Sequence, residues 1–350
     1  MTLNGARVLL DCRWLRLGGA GRATELLLRG LRELQPPGTW MLWGPPAVKA
    51  FAWDGAVHIA SYGSPKAGAG QRSLARVPAN DLAIYMHQIR PLRYGASITL
   101  VHDTIPVRYG GSVAKRLAKR LFYRAVMSVS TRIVTVSEHS RRSIEDDLHV
   151  GPERISVVRY PVDEELVARV RRLRHELPQR RTAVYVGSFL RHKNLERLLL
   201  AFAGTKFRAD GGTLVLSGGE PRRVLELASF AQSEGIDGVR IEGPRSQAEL
   251  DQLFATSRLL VQPSLEEGFG LPVWEAMSCG LPVCVSSAGS LPEITGGRVR
   301  TFPPKDVAEM TAAIDEVALR GGDDMSSWVH GEAPSLREFA KRFVDVAESL

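Results

Sequence analysis

Two glutamates with seven residues between them, Glu267 and Glu275, stand in the segment SLEEGFGLPVWEAMSCG at residues 264–280. The apolar run RLLVQ precedes it, Gly268 and Gly270 permit a tight turn, Pro272 suits a first helical turn and Gly280 suits a helix C-terminus. A strand, a glycine turn and a helix beginning near Leu271 are therefore expected. Unpaired N–H groups at a helix N-terminus favour phosphate, and carboxylates accept hydrogen bonds from vicinal hydroxyls such as those of a ribose or hexose. The segment has the composition of a site for a sugar beside a phosphate. Taken alone, it reads more readily as a Glu275 that complements the helix dipole and a Glu267 that is solvated.

Other residues of suitable chemistry lie at comparable places. RHKN, residues 191–194, follows the apolar run AVYVG and precedes helical spacing, so Lys193 is placed as a compact cation for a diphosphate, with Arg191 or His192 adding to it. His102 and Asp103 end another apolar run in VHDTIP. Ser137 follows RIVTV and suits a helix N-cap, with Ser140 three residues on. The loop LGGAGR departs from a dinucleotide fingerprint, because Thr24 stands where Gly or Ala is required.

These segments need a scaffold of alternating strands and helices, and the chain supplies it. With 350 residues it is expected to form about two domains, from the ~150-residue prior. Short apolar runs at AVYVG, LVLSG, GVRIEG, RLLVQPS and LPVCVSS are separated by helix-length segments such as the one bearing Leu195, Leu198, Leu199 and Phe202. That alternation predicts parallel βαβ units, and a comparable series lies in the N-terminal half. The expected organisation is a Rossmann-like domain over residues 1–165, a second over 182–330, and an amphipathic helix within 331–350 that returns to the first. The Arg-rich stretch 161–181, with Pro161 and Pro178, is expected to be an exposed connection carrying Arg169, Arg171, Arg172 and Arg174. Residues 36–70 show no regular pattern.

Composition narrows the function classes. Lys and Arg number 46 against 38 Asp and Glu, and the excess of 8 favours anionic partners. Cys12, Cys279 and Cys284 lack the spacing of a disulfide framework or zinc site. No run approaches the ~18 apolar residues of a membrane span, and no signal-peptide layout opens the chain, so a cytoplasmic place is expected. Lys115, Arg116, Lys119, Arg120 and Arg124 alternate with Leu117, Leu121, Phe122 and Val126. That stretch reads equally as a helix lying peripherally on an anionic membrane and as a solvated helix face.

EGFGLPVWEAMSCGLPV resembles the E-x(7)-E signature of the retaining glycosyltransferases of family 4. GSFLRHKNLERLLLAF, IEGPRSQAELDQLFATSRLLVQPS and SSAGSLPEI follow that family's order, densely over residues 182–295 and patchily before. The resemblance implies an α/β GT-B fold of two Rossmann-like domains about a cleft, and metal-independent transfer of a hexose from a GDP- or UDP-linked donor with retention. The nucleotide sugar is then a co-substrate and no cofactor is implied. The acceptor is a hydroxyl of a glycan, glycolipid or small molecule. By the same resemblance Glu267, Lys193 and His102 are the catalytic residues. Gly19, Gly21, Ser188, Arg191, Gly268, Phe269, Gly270, Leu271 and Glu275 are donor-binding, with backbone N–H groups of Phe269, Gly270 and Leu271 as donors and Glu275 on the ribose. Many relatives have an Arg where this chain has Ser188. Base contacts are expected near residues 243–245, and no acidic D-x-D of the metal-dependent transferases stands at a strand end. Alternatives are a GT-B-like nucleotide-sugar epimerase, which would consume donor without acceptor, and a basic nucleic-acid binder. The latter lacks an aromatic platform among basic strands, so no specific nucleic-acid partner is expected.

Overall fold

The computed structural model describes residues 2–15, 17–60, 79–92, 95–321 and 324–350. The chain divides into two compact units, one formed by residues 1–161 with 333–350 and the other by residues 162–332.

Among the described residues the first unit holds seven strands: β1 (Arg7–Asp11), β2 (Thr39–Gly44), β3 (Ala56–Ala60), β4 (Leu82–Tyr85), β5 (Ser97–Leu100), β6 (Arg132–Thr135) and β7 (Ile155–Val157). Their order is β3-β2-β1-β4-β5-β6-β7 and every neighbouring pair is parallel. The second unit holds β8 (Thr182–Val186), β9 (Thr213–Ser217), β10 (Val239–Glu242), β11 (Leu259–Gln262), β12 (Val283–Ser286) and β13 (Arg300–Phe302). These are ordered β10-β9-β8-β11-β12-β13, again parallel throughout. Continuous burial along β4, β5, β11 and β12 is what helices on both faces of a parallel sheet produce.

Packing follows the sequence periods. Ala183 and Tyr185, Leu214 and Leu216, and Leu259 and Val261 alternate along their strands and meet Leu195, Leu198, Leu199 and Phe202 of the helix Leu195–Ala203 in one core. Each such side chain contributes about 1.5–3 kcal/mol by leaving water. In the first unit the C-terminal helix Leu336–Glu348 starts in a capping box of Ser335 and Glu338 and buries Leu336, Phe339, Ala340 and Phe343. It crosses the helix Gly18–Leu34 so closely that a Cβ on Gly30 would stand 2.2 Å from the Leu336 carbonyl oxygen.

Three expectations are corrected. The Arg-rich stretch is a helix of the second unit, Glu164–Glu176, capped by Asp163. Arg169 bonds Asp251 at 2.6 Å and Arg174 reaches the Gly280 carbonyl at 3.0 Å, so apolar Leu166, Val167 and Val170 at helical spacing outweighed the flanking prolines. The irregular stretch contains β2, a 3-10 turn at Pro46–Phe51 and β3; residues 61–70 lie outside the described ones. Third, the glycine loop after β1 is short. The chain turns over residues 12–15 and enters the helix at Gly18, at φ 60°, so that Gly19 and Gly21 lie in its first turns. Among the described residues no helix is long and apolar enough to cross a membrane.

In both sheets the chain starts in the middle, runs to one edge and returns to the other side of its first strand. The reversal falls between β1 and β4, and between β8 and β11. At such a reversal the loops leaving the carboxyl ends of two neighbouring strands diverge and leave a crevice for ligands.

Candidate functional site

In the second unit three loops converge at the carboxyl ends of β8, β11 and β12. After β8 the chain passes through a 3-10 turn, Arg191–Lys193, into Asn194, which takes the left-handed conformation at φ 62°. Asn is among the few non-glycine residues that tolerate this. Its side-chain amide donates to the Pro263 and Pro304 carbonyls at 3.0 and 2.5 Å, while Arg197 donates to its Oδ1 at 2.8 Å. Leu265 N–H donates to the His192 carbonyl at 2.7 Å. The loop bearing Lys193 is thereby fastened to the loop bearing Glu267. The third loop is held as closely: Ser286 Oγ donates to the Ser264 carbonyl at 2.6 Å and Ser290 Oγ to that of Phe269 at 2.9 Å. A Cβ on Gly289 would sit 2.5 Å from the Glu267 nitrogen, so only glycine allows this approach.

These contacts bring Lys193 and Glu267 together. Glu267 Oε1 accepts from Lys193 Nζ, Gln262 Nε2 and Ser264 Oγ, each at 2.7 Å. The side chains of Lys193 and Glu267 are only 13% and 8% exposed, so the pair is weakly screened. Burial pushes the Glu267 carboxyl up, but the Lys193 charge and the hydrogen bonds from Lys193 and Ser264 outweigh it and hold the group below the usual carboxylate range. Glu267 is therefore an anion near neutral pH, not a proton donor. Beside it, burial and then the Lys193 charge lower the pKa of His192 to about 4. His192 is thus neutral near pH 7, which leaves Arg191 as the cation of the two residues offered beside Lys193. Gln262 Oε1 is buried and has no hydrogen-bond partner among the described residues.

The remaining segment follows its local signals. Gly270 takes φ 94° and ψ 47° immediately before the helix Leu271–Ser278, with Pro272 in its first turn. Gly280, at φ 70°, ends that helix, and Leu281 N–H closes it on the Ala276 carbonyl at 2.9 Å. Gly268 is buried, Phe269 is buried edge-on against Trp274, and Leu271 and Glu275 are half-buried. Ser188 and Arg191 are exposed, and the Ser188 carbonyl accepts from Tyr185 Oη at 2.8 Å. At the ends of β9 and β10 lies an apolar pocket of about 380 Å³ lined by Gly219, Pro221, Val224, Leu225, Gly243 and Pro244.

Gly19, Gly21 and His102 belong to the first unit. There the reversal between β1 and β4 gathers aromatic groups and a buried ion pair. Trp14, after β1, stacks on His87, after β4, with ring centres 3.9 Å apart, and His87 lies 6.1 Å from His102. Asp11 closes a buried pair with Arg13 at 2.7 Å, and Arg13 stacks over Trp43. His102 Nε2 contacts the Met86 carbonyl at 3.3 Å and Nδ1 the Tyr160 hydroxyl at 2.8 Å. Ser137 caps its helix by accepting from Ser140 N–H, and Ser140 Oγ donates to the His102 carbonyl at 2.8 Å. Burial lowers the pKa of His102 to about 4, although the Met86 hydrogen bond opposes it.

Sequence reasoning missed Gln262, Ser264, Tyr160, Trp14 and His87. Gln262 is a polar residue in an otherwise apolar strand, and that was its available signal. Tyr160 carried none, because its partner is 58 residues away.

Residues 170–326 match a family model described as glycosyl transferases group 1. O-antigen chain mannosyltransferase B of Escherichia coli is 30% identical over 64% of this chain and 61% of its own length. The MMP alpha-(1->4)-mannosyltransferase of Mycolicibacterium hassiacum is 33% identical over 52% of this chain and 44% of its own. The chain thus spans about three fifths of the first relative and under half of the second. Among solved structures, Anabaena Alr3699/HepE in complex with UDP-glucose superposes at a TM-score of 0.75 with 18% identity, covering 99% of this chain and 100% of that one. WaaG, a glycosyltransferase involved in lipopolysaccharide biosynthesis, superposes at 0.67 with 15% identity and 98% of each chain covered. The fold of two Rossmann-like domains is that of the GT-B glycosyltransferases.

Proposed function

From the match of residues 170–326 to the glycosyl transferases group 1 model, we propose that the chain transfers a hexose from a GDP- or UDP-linked donor to a hydroxyl of a glycan or lipid-linked acceptor. Mannose is the first sugar to test, since both curated relatives named above are mannosyltransferases. The observation that carries the reading is the triply bonded Glu267 carboxylate beside Lys193 at the reversal between β8 and β11.

In this reading Lys193 shares its charge between Glu267 and the donor diphosphate. The N–H groups ahead of the helix Leu271–Ser278 face the same phosphate, and Glu275 takes the ribose. Exposed Arg191 is the second cation, since His192 is neutral. The apolar pocket beside Gly243 takes the base. When the C1–phosphate bond breaks, the nucleoside diphosphate leaves with the electron pair, and fixed cations and backbone dipoles stabilise that charge without a metal. The acceptor oxygen bonds C1 on the face the diphosphate leaves, giving retention, and its proton passes to the departing phosphate oxygen. Glu267 orients sugar hydroxyls as an anion and does not act as an acid.

The first unit also offers a reading of where the acceptor resides. The helix Val113–Ser128 contains no acidic residue, and Val113, Leu117 and Leu121 are 71%, 55% and 57% exposed along one side of it. Lys115, Arg120 and Arg124 are exposed on the same helix. An exposed apolar stripe among cations suits the surface of an anionic bilayer, and we assign this helix to peripheral membrane contact near a lipid-linked acceptor.

A thermal-shift panel of UDP-, GDP- and dTDP-sugars tests the donor assignment, because a ligand of the native state alone raises its melting temperature. A UDP- or GDP-hexose is expected to raise the melting point of the wild type and not of Lys193→Ala. No shift with any nucleotide sugar would sink the reading, and consumption of donor without acceptor would replace it with epimerisation.

A further inference from the structure

We propose that Tyr160 is a positioning residue that fixes His102 as its Nε2–H tautomer, so that His102 offers an N–H to a ligand oxygen in the crevice of the first unit and cannot serve as a base. The inference deepens the glycosyl-transfer reading and rests on it only for the identity of that oxygen.

The two ring nitrogens of His102 have partners of different kinds. The Met86 carbonyl can only accept, so the nitrogen facing it at 3.3 Å, Nε2, carries the proton. Nδ1 then holds the lone pair and accepts from the Tyr160 hydroxyl at 2.8 Å. A second proton is disfavoured, because burial lowers the pKa of the ring to about 4. The Tyr160 hydroxyl stays protonated, since burial raises its pKa far above neutral.

The pair is held from behind. Tyr160 is 1% exposed, and its ring packs 6.0 Å from that of Phe339 on the C-terminal helix. The backbone of His102 is tied by Ser140 Oγ at 2.8 Å. The Tyr160 and His102 rings are nearly parallel, 19° apart with centres at 6.5 Å, which keeps the hydroxyl in the imidazole plane's neighbourhood rather than over its face. The long Nε2–Met86 contact is the weaker of the two bonds, so an incoming oxygen can displace it while Tyr160 retains the tautomer.

The neighbouring ring repeats the arrangement. Ile89 N–H donates to His87 Nδ1 at 2.9 Å, which leaves the proton of a neutral His87 on Nε2 as well. Trp14, stacked on His87, has a buried Nε1 without a hydrogen-bond partner among the described residues.

Imidazole 15N shifts report the tautomer directly and need no ligand, and His102→Gln identifies the signal. The wild type is expected in the Nε2–H form near pH 7.5. Tyr160→Phe keeps the ring against Phe339 and removes only the hydroxyl. It should give a mixture of tautomers and lower kcat about three- to tenfold, the loss of one hydrogen bond, with KM for donor changed less. A wild-type ring in the Nδ1–H form would overturn the proposal, as would a Tyr160→Phe variant with tautomer and kcat both unchanged. A purely structural Tyr160 would lower the melting temperature and leave the tautomer alone. Should wild-type protein turn over no nucleotide sugar, the functional reading fails and the tautomer result still stands.

Discussion

At the reversal of the second sheet, Lys193, Gln262 and Ser264 all donate to one oxygen of a buried carboxylate. At the reversal of the first, Trp14, His87, His102 and Tyr160 form an aromatic group. Both crevices arise from one construction, a parallel sheet entered at its middle strand, and the chemistry differs because the loops differ. A charged network in low dielectric suits a ligand that changes charge, such as a departing diphosphate. N–H donors on aromatic rings suit sugar oxygens, whose charge changes little. The scaffold supplies two comparable places, and the side chains decide what each recognises.

The largest expected effect lies in the charged crevice. Lys193→Ala leaves Glu267 buried with only Gln262 and Ser264 as donors, which should cost about 3 kcal/mol of stability. It should also lower kcat about 10²- to 10³-fold, as loss of a group stabilising the leaving charge does. Steady-state kinetics with calorimetric melting measure both, and unchanged turnover would end the distinction between the crevices.

Acid titration comes next. Buried neutral His102 and His192, each lowered to about 4, contribute stability that is full above the unfolded value near 6.5 and is lost as pH falls toward 4. Each histidine accounts for about 3 kcal/mol over that window. Glu267, lowered by its partners, contributes stability present above the unfolded value of 4.5 and lost only as pH falls further. Melting temperature against pH should therefore decline from about 6.5 downward in wild type, and less steeply in His102→Gln and in His192→Gln. A flat profile between pH 6.5 and 5 would show that neither ring is buried neutral.

The smallest effect belongs to the basic helix. Leu117→Asp with Leu121→Asp changes two exposed positions, so melting should be unaffected while co-sedimentation with anionic vesicles falls about tenfold. Equal binding of both proteins would remove membrane contact from the reading of the first unit.

Much of the second unit was legible before any coordinates. Its strands AVYVG and RLLVQ are unbroken apolar runs, and the helix at Leu271 is announced by Gly270, Pro272 and Gly280, whose backbone preferences act locally. Residues 36–60 were not legible: β3 is only partly buried, with Val57 54% exposed, so its apolar contrast is weak. The Arg-rich helix was misread because Arg169 and Arg174 find partners at Asp251, Phe254 and Gly280, far along the chain.

The sequence by itself determined which segments of the second unit from residue 182 onward alternate as strand and helix, where the helices Leu195–Ala203 and Leu271–Ser278 start, and that Glu267, Lys193 and His102 end strands or turns. Those outcomes depend on neighbours within a few positions. Only the tertiary structure decided that Lys193 meets Glu267, that His192 is neutral, that Gly19 and Gly21 lie within a helix, and that Tyr160 sets the proton of His102. The distances in the pairs it joins are fixed by strand order and loop packing, and the charge states by burial. Neither is written in the spacing of residues along the chain.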